Sequence, residues 1–177
     1  MRALLDACVL YPTVLREILV GCAGLYQPLW SERILEEWAR ATRKLGPGAE
    51  DVARGEIALL RAKFGGASVE PKAGDIARLH LPDEDDIHVL AAAIAGSADV
   101  IVTLNAKDFP RQTLAFEGVA RQSPDDFLMD LWMDAPDVVG DVVARVHGVA
   151  CEMSDEDLPL RGLLKRARVP RLGKALS

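Results

Sequence analysis

Cysteine is scarce: Cys8, Cys22 and Cys151 are the only three in 177 residues, with no C-x-x-C pair. That excludes a disulfide framework and a cysteine-based zinc module, and it fits a reducing compartment. Aromatic residues make up 5%, so aliphatic side chains must supply most of the core. The three histidines, His80, His88 and His147, show no metal-ligand spacing. No apolar run is long enough to span a bilayer, so no membrane association is expected. The opening segment MRALLDACVLYP has one basic residue and reaches an acid at Asp6, unlike a secretory leader. A soluble, cytoplasmic protein is expected. Positive charge is also in deficit, with 21 Lys and Arg against 27 Asp and Glu, a net charge of -6. Taken alone, that argues against a simple basic nucleic-acid binder.

Half of the residues are hydrophobic and 27% are charged, the composition of a folded chain. The length suits one domain with a small appendage, large enough to bury roughly two-thirds of its unfolded surface. Ala3-Leu4-Leu5 reads as a buried strand that ends at Asp6. Tyr11-Pro12 opens a helix with Val14, Leu15, Ile18 and Leu19 on one face, ended by Gly24. Gln27 to Trp30 is assigned no element. Ser31 is a good N-cap for a helix reaching about Lys44, before Gly46-Pro47-Gly48. A further helix is expected over about Ala49 to Phe64, and a weak strand over Ser68 to Glu70. Pro82-Asp83-Glu84-Asp85-Asp86 precedes an apolar helix from Ile87 to Ala95, where acids match the helix dipole. Val100-Ile101-Val102 is a second buried strand, leading into the polar loop Thr103 to Pro110. This order predicts an α/β fold with a largely parallel sheet. From about Asp130 the pattern is helical, and an extension over residues 130–177 is expected to pack on or near a domain of residues 1–129.

Four carboxylates occupy informative places: Asp6 and Asp108 at strand exits, Glu37 within a helix, Asp86 at a helix start. In an open parallel sheet, ligands bind beyond the carboxyl ends of the strands. Carboxylates gathered there repel one another unless a hard cation neutralises them, and oxygen-rich clusters suit Mg²⁺ or Mn²⁺. Each residue also has a plainer reading, as a turn former, an N-cap or a solvated helix position. Cys8 reads as core packing. His88 lies about 200° around the helix from Asp86 and reads as structural or solvent-facing.

The segments LLDACVLYP, WSERILEEW, DDIHVLAAAIAGSADVIVTLNAKDF and SPDDFL together resemble the PIN domain family, and within it the VapC-type toxin ribonucleases. The resemblance implies a three-layer α/β/α fold with a central, mostly parallel sheet plus a C-terminal helical extension. It also implies a metal-dependent endoribonuclease whose acids hold Mg²⁺ or Mn²⁺. Asp6, Glu37, Asp86 and Asp108 match the family's four acids; Glu36 is the alternative to Glu37, and Asp85 and Asp83 are the alternatives to Asp86. Thr103 and Asn105 match supporting polar positions, although some members carry an acid where this chain has Asn105. The partners implied are an RNA substrate, an antitoxin protein and a second copy in a homodimer. The other readings are a stand-alone PIN nuclease without an antitoxin, and a non-enzymatic RNA-binding or assembly module. A phosphatase of the haloacid dehalogenase class is disfavoured, because Cys8 stands where that class needs a second Asp.

Charge is unevenly spread along the tail. Residues 122–142 hold six Asp and no Lys or Arg, whereas residues 159–177 hold six Lys or Arg and no acid. The basic residues, among them Arg161, Lys165 and Arg166, are weak candidates for RNA backbone contacts. The preferred reading is a solvated face that balances the Asp-rich segment; acidic surface on a partner chain is the third.

Overall fold

The computed structural model describes residues 1–177 throughout. Three consecutive apolar residues make β1 (Arg2–Leu5), and Ala3, Leu4 and Leu5 are fully buried. A run that is apolar on both faces belongs inside a sheet covered by helices on both sides. Next come α1 (Ala7–Leu10), α2 (Thr13–Gly21) and β2 (Gln27–Leu29). Ser31 caps α3 (Glu32–Ala41) by accepting the Ile34 amide, and a 3-10 turn over Thr42–Leu45 prolongs it. After α4 (Ala49–Lys63) and α5 (Ala73–Arg78), a 3-10 turn at Glu84–Asp86 feeds α6 (Ile87–Ala95). β3 (Val100–Val102), a 3-10 turn at Ala106–Asp108, α7 (Arg111–Phe116) and β4 (Ala120–Gln122) follow. The remainder is helical: α8 (Pro124–Asp134), α9 (Pro136–Ser154), α10 (Leu160–Arg166) and α11 (Pro170–Ala175).

The four strands are all parallel, in the order β2-β1-β3-β4. Leu4 pairs with Leu29 on one side and Ile101 on the other, and Ile101 pairs with Arg121. The chain winds from β1 outward to β2 and then returns to β3 on the opposite side. The direction of winding therefore reverses between β1 and β3, and their carboxyl ends open the crevice that parallel α/β folds use for ligands. The helices complete the expected three-layer α/β/α arrangement.

Several elements differ from the sequence reading. Gln27 to Leu29, assigned no element from the sequence, is an edge strand, where Pro28 is tolerated because it lacks only a ladder donor. Ser68 to Glu70 makes only a single bridge, Ser68 to Trp30, rather than a strand. α2 is preceded by the short α1 and stops at Gly21 rather than Gly24. A side chain at Gly21 would meet Val142 of α9 at 2.6 Å, so close approach of two helices accounts for this glycine. α8 begins at Pro124, with the Ser123 hydroxyl accepting the Asp126 amide, and runs through Asp130 without a break. The few aromatics concentrate inside: Trp30, Trp38, Phe109 and Phe127 rank among the largest fully buried side chains. No helix is long and apolar enough to cross a membrane.

Candidate functional site

β1 and β3 are neighbours, so the residues that leave them meet. The Asp6 amide donates to Val102 O at 3.2 Å, and its carbonyl accepts the Val9 and Leu10 amides at 3.0 and 3.2 Å, starting α1. Its side chain does not cap that helix. It is buried instead, and its Oδ2 accepts from Thr103 Oγ1 at 2.7 Å and Cys8 Sγ at 3.1 Å. Thr103 Oγ1 in turn accepts the Asn105 amide at 2.9 Å, and Cys8 Sγ accepts the Leu104 amide at 3.2 Å. Burial first, then the Asp6 charge, push the Cys8 thiol up to about 12. Cys8 is therefore a proton donor that holds Asp6, beyond the core packing its sequence position promised.

Three carboxylates converge beside this network. Asp83, Asp86 and Asp108 each place an oxygen within 4.8 Å of the other two. The 3-10 turn at Glu84–Asp86 presents Asp86 at the N-cap of α6, and the 3-10 turn at Ala106–Asp108 presents Asp108. Asn105 Nδ2 donates to Asp86 Oδ2 at 3.3 Å. The Asp86 carboxyl is pushed up to about 6, by burial first and then by the charges of Asp6, Asp83 and Asp108. Asp6 stands outside the trio and acts on Asp86 through its charge.

The remaining sequence candidates separate. Glu37 is not in the trio. Its Oε1 lies 3.3 Å from Arg33 Nε and 2.8 Å from Nε2 of His88, which is buried. That last approach is poorly aligned, and neither ring nitrogen of His88 makes a well-formed hydrogen bond. His88 thus faces α3 while Asp86, two residues earlier, faces the acids. Glu36 is engaged elsewhere, accepting from Arg40 at 2.7 Å and Arg54 at 2.9 and 3.0 Å. Those hydrogen bonds hold its carboxyl down at about 2. Asp85 is exposed, and its backbone amide donates to Asp83 Oδ1 at 3.0 Å. Asp83, only a runner-up in the sequence, is the residue that joins Asp86 and Asp108. Asp83 is exposed as well; the sequence signal was the acidic run itself, and only the tight turn decides which of its members turn toward Asp108.

The donor set fits a hard divalent cation. The trio offers carboxylate oxygens only, with no thiol or imidazole, the preference of Mg²⁺ and Mn²⁺. Burial first, and then the charges of Asp6, Asp83 and Asp108, raise the Asp86 carboxyl, and a bound cation would offset the second of these.

Comparison with known proteins bears on the scaffold. A Mycobacterium tuberculosis protein named "Putative ribonuclease VapC50" is 51% identical over 45 residues, which are 25% of this chain and 27% of that protein. The likeness thus spans about a quarter of that curated relative. No solved structure matches. The profile of the PIN domain matches residues 2–107 and stops one residue short of Asp108. It takes in β1, β3 and the turn that carries Asp83 and Asp86, more than half of the sequence, and the chain belongs to the PIN domain family.

Proposed function

We propose that this chain is a metal-dependent endoribonuclease that hydrolyses RNA phosphodiester bonds, and that it is the toxin of a type II toxin–antitoxin pair. The observation that carries the reading is the convergence of Asp83, Asp86 and Asp108 at the switch point of the sheet. Asp83, Asp86 and Asp108 would hold Mg²⁺ or Mn²⁺, with Asp6 adding charge beside them. When bound, such a cation polarises phosphate oxygens and lowers the pKa of water. The chain's own residues do the positioning. Thr103 and Cys8 fix the Asp6 carboxylate, and Asn105 orients Asp86. Glu37 on α3, held against Arg33 and close to His88, would serve in this reading as a further acid for orienting water or substrate. No side-chain nucleophile is called for, and the protonated Cys8 is unsuited to that role. The antitoxin partner rests on the resemblance to VapC-type toxins.

The test is cleavage of a mixed RNA pool with added Mg²⁺ or Mn²⁺, wild type beside Asp6→Asn. Wild type is expected to cut, EDTA to stop it, and the variant to lose at least about 100-fold, a loss typical of removing one preorganised electrostatic group. Equal cleavage by the variant, or cleavage that survives EDTA, contradicts the reading. A gene standing without a small upstream neighbour counts against the antitoxin alone.

A further inference from the structure

The last two helices form a rigid basic platform. α10 packs on α11, and α11 on α8, with Leu163, Leu164, Ala167, Val169 and Leu172 buried. A Cβ on Gly173 would lie 3.0 Å from that of Leu164, so the two helices touch closely. Asp125, buried in the first turn of α8, accepts the Arg171 and Leu172 amides at 3.0 and 3.1 Å and so fixes the start of α11. α8 begins just beyond β4, whose last residue, Gln122, accepts the Thr103 amide at 3.1 Å. Thr103 is the residue that holds Asp6. The start of α11 therefore sits at the same carboxyl edge of the sheet as the acids, displaced by one strand.

Arg161, Lys165, Arg171 and Lys174 line, with Pro170, a depression of about 380 Å³ on this platform. From Arg16 to Arg78 every one of the seven arginines meets a carboxylate. In the depression only Arg171 does so, with Asp126. Arg161 and Lys165 stand one turn apart on α10, where like charges repel. Cations gathered without counter-charge are matched by an anionic ligand that bears several charges. Arg166, the neighbour of Lys165, lies outside the depression.

We infer that this depression binds the phosphate backbone of single-stranded RNA and leads the strand toward the acid cluster. The inference rests on the ribonuclease reading for its second half. The shared sheet edge favours RNA over an acidic protein segment, the other ligand these cations accept.

The test uses full-length Asp86→Asn protein, so that RNA survives, and a fluorescent single-stranded RNA 12-mer titrated at several KCl concentrations. Adding Arg161→Gln, Lys165→Gln and Lys174→Gln together is expected to weaken binding at least about tenfold. It is also expected to make the slope of log K against log salt shallower by about 2, since each phosphate neutralised on a single strand contributes roughly 0.7. Lys72→Gln, an exposed charge on α5's approach, controls for net charge and is expected to change affinity less than twofold. Unchanged affinity and slope in the triple variant, with an unaltered thermal melt, overturn the inference. So does a triple variant that loses polyglutamate binding but keeps RNA, which assigns the depression to an acidic partner. If wild type cuts no RNA with any metal, the ribonuclease reading fails by itself, while the binding titration still decides the depression.

Discussion

At Asp86 the charges of Asp6, Asp83 and Asp108 add to the cost of partial burial, and the carboxyl is held near 6 rather than the ordinary 3.8. The folded chain therefore binds this proton more tightly than the unfolded chain does. Between about pH 4 and pH 6 the native state carries the extra proton, so the stability of metal-free protein falls as pH rises through that window. Asp86→Asn, which cannot ionise, is expected to melt above the wild type at pH 7.5 and close to it at pH 4 without metal. Thermal melts in EDTA check this; a variant that melts lower by an equal amount at both values contradicts it. Cys8 gives a second expectation. Its S–H donates to Asp6, and a hydroxyl can do the same. Cys8→Ser should keep Mn²⁺ affinity within a few-fold, whereas Cys8→Ala, which frees the Asp6 carboxylate beside the trio, should lower it about tenfold, the usual effect of removing an outer group that supports a metal site. Equal losses in the two variants would assign Cys8 to packing alone.

Among the elements, those stabilised by their own residues were legible: the apolar β1 and β3, the Ser31 cap on α3, and the acidic start of α6. β2 and β4 were not. Gln27-Pro28-Leu29 and Ala120-Arg121-Gln122 carry no strand pattern, and they are strands only because β1 and β3 offer them open edges. The site was legible to a similar extent. Asp6, Asp86, Asp108, Thr103 and Asn105 lie together, because strand exits and helix starts can be read locally. The choice of Asp83 over Asp85 depends on one 3-10 turn. The engagement of Glu36 depends on Arg54, 18 residues away. Arg16 was equally hidden: it is buried within α2, donates to Leu10 O at 2.8 Å and Glu56 Oε2 at 2.8 Å, and stacks 4.5 Å over Trp38. The Asp125 link is the element-scale test. Asp125→Ala leaves two amides of α11 without their acceptor, a loss of a helix cap typically worth about 1–2 kcal/mol. A drop in melting temperature of roughly 2–8 °C follows for a chain of this size. Limited proteolysis should nick between α9 and α11 sooner than in wild type. An unchanged melt and digestion pattern would show that apolar packing alone seats the tail.

Over the whole molecule, the net charge of -6 conceals a separation. Acids gather at the strand ends and along residues 122–142, cations at the far end of the chain. A divalent ion neutralises part of the first group, so the overall acidity does not oppose an RNA substrate once metal is bound. The family match and the sheet order fix the scaffold, and the acid trio is where the proposed chemistry begins. Calorimetric titration of Mn²⁺ into metal-free protein at pH 7.5, wild type beside Asp86→Asn, tests that beginning most directly. Saturable binding by the wild type, weakened at least about tenfold in the variant, is the result expected for a lost carboxylate ligand. Identical isotherms for the two proteins, or no binding to the wild type, would contradict a metal centre at Asp83, Asp86 and Asp108.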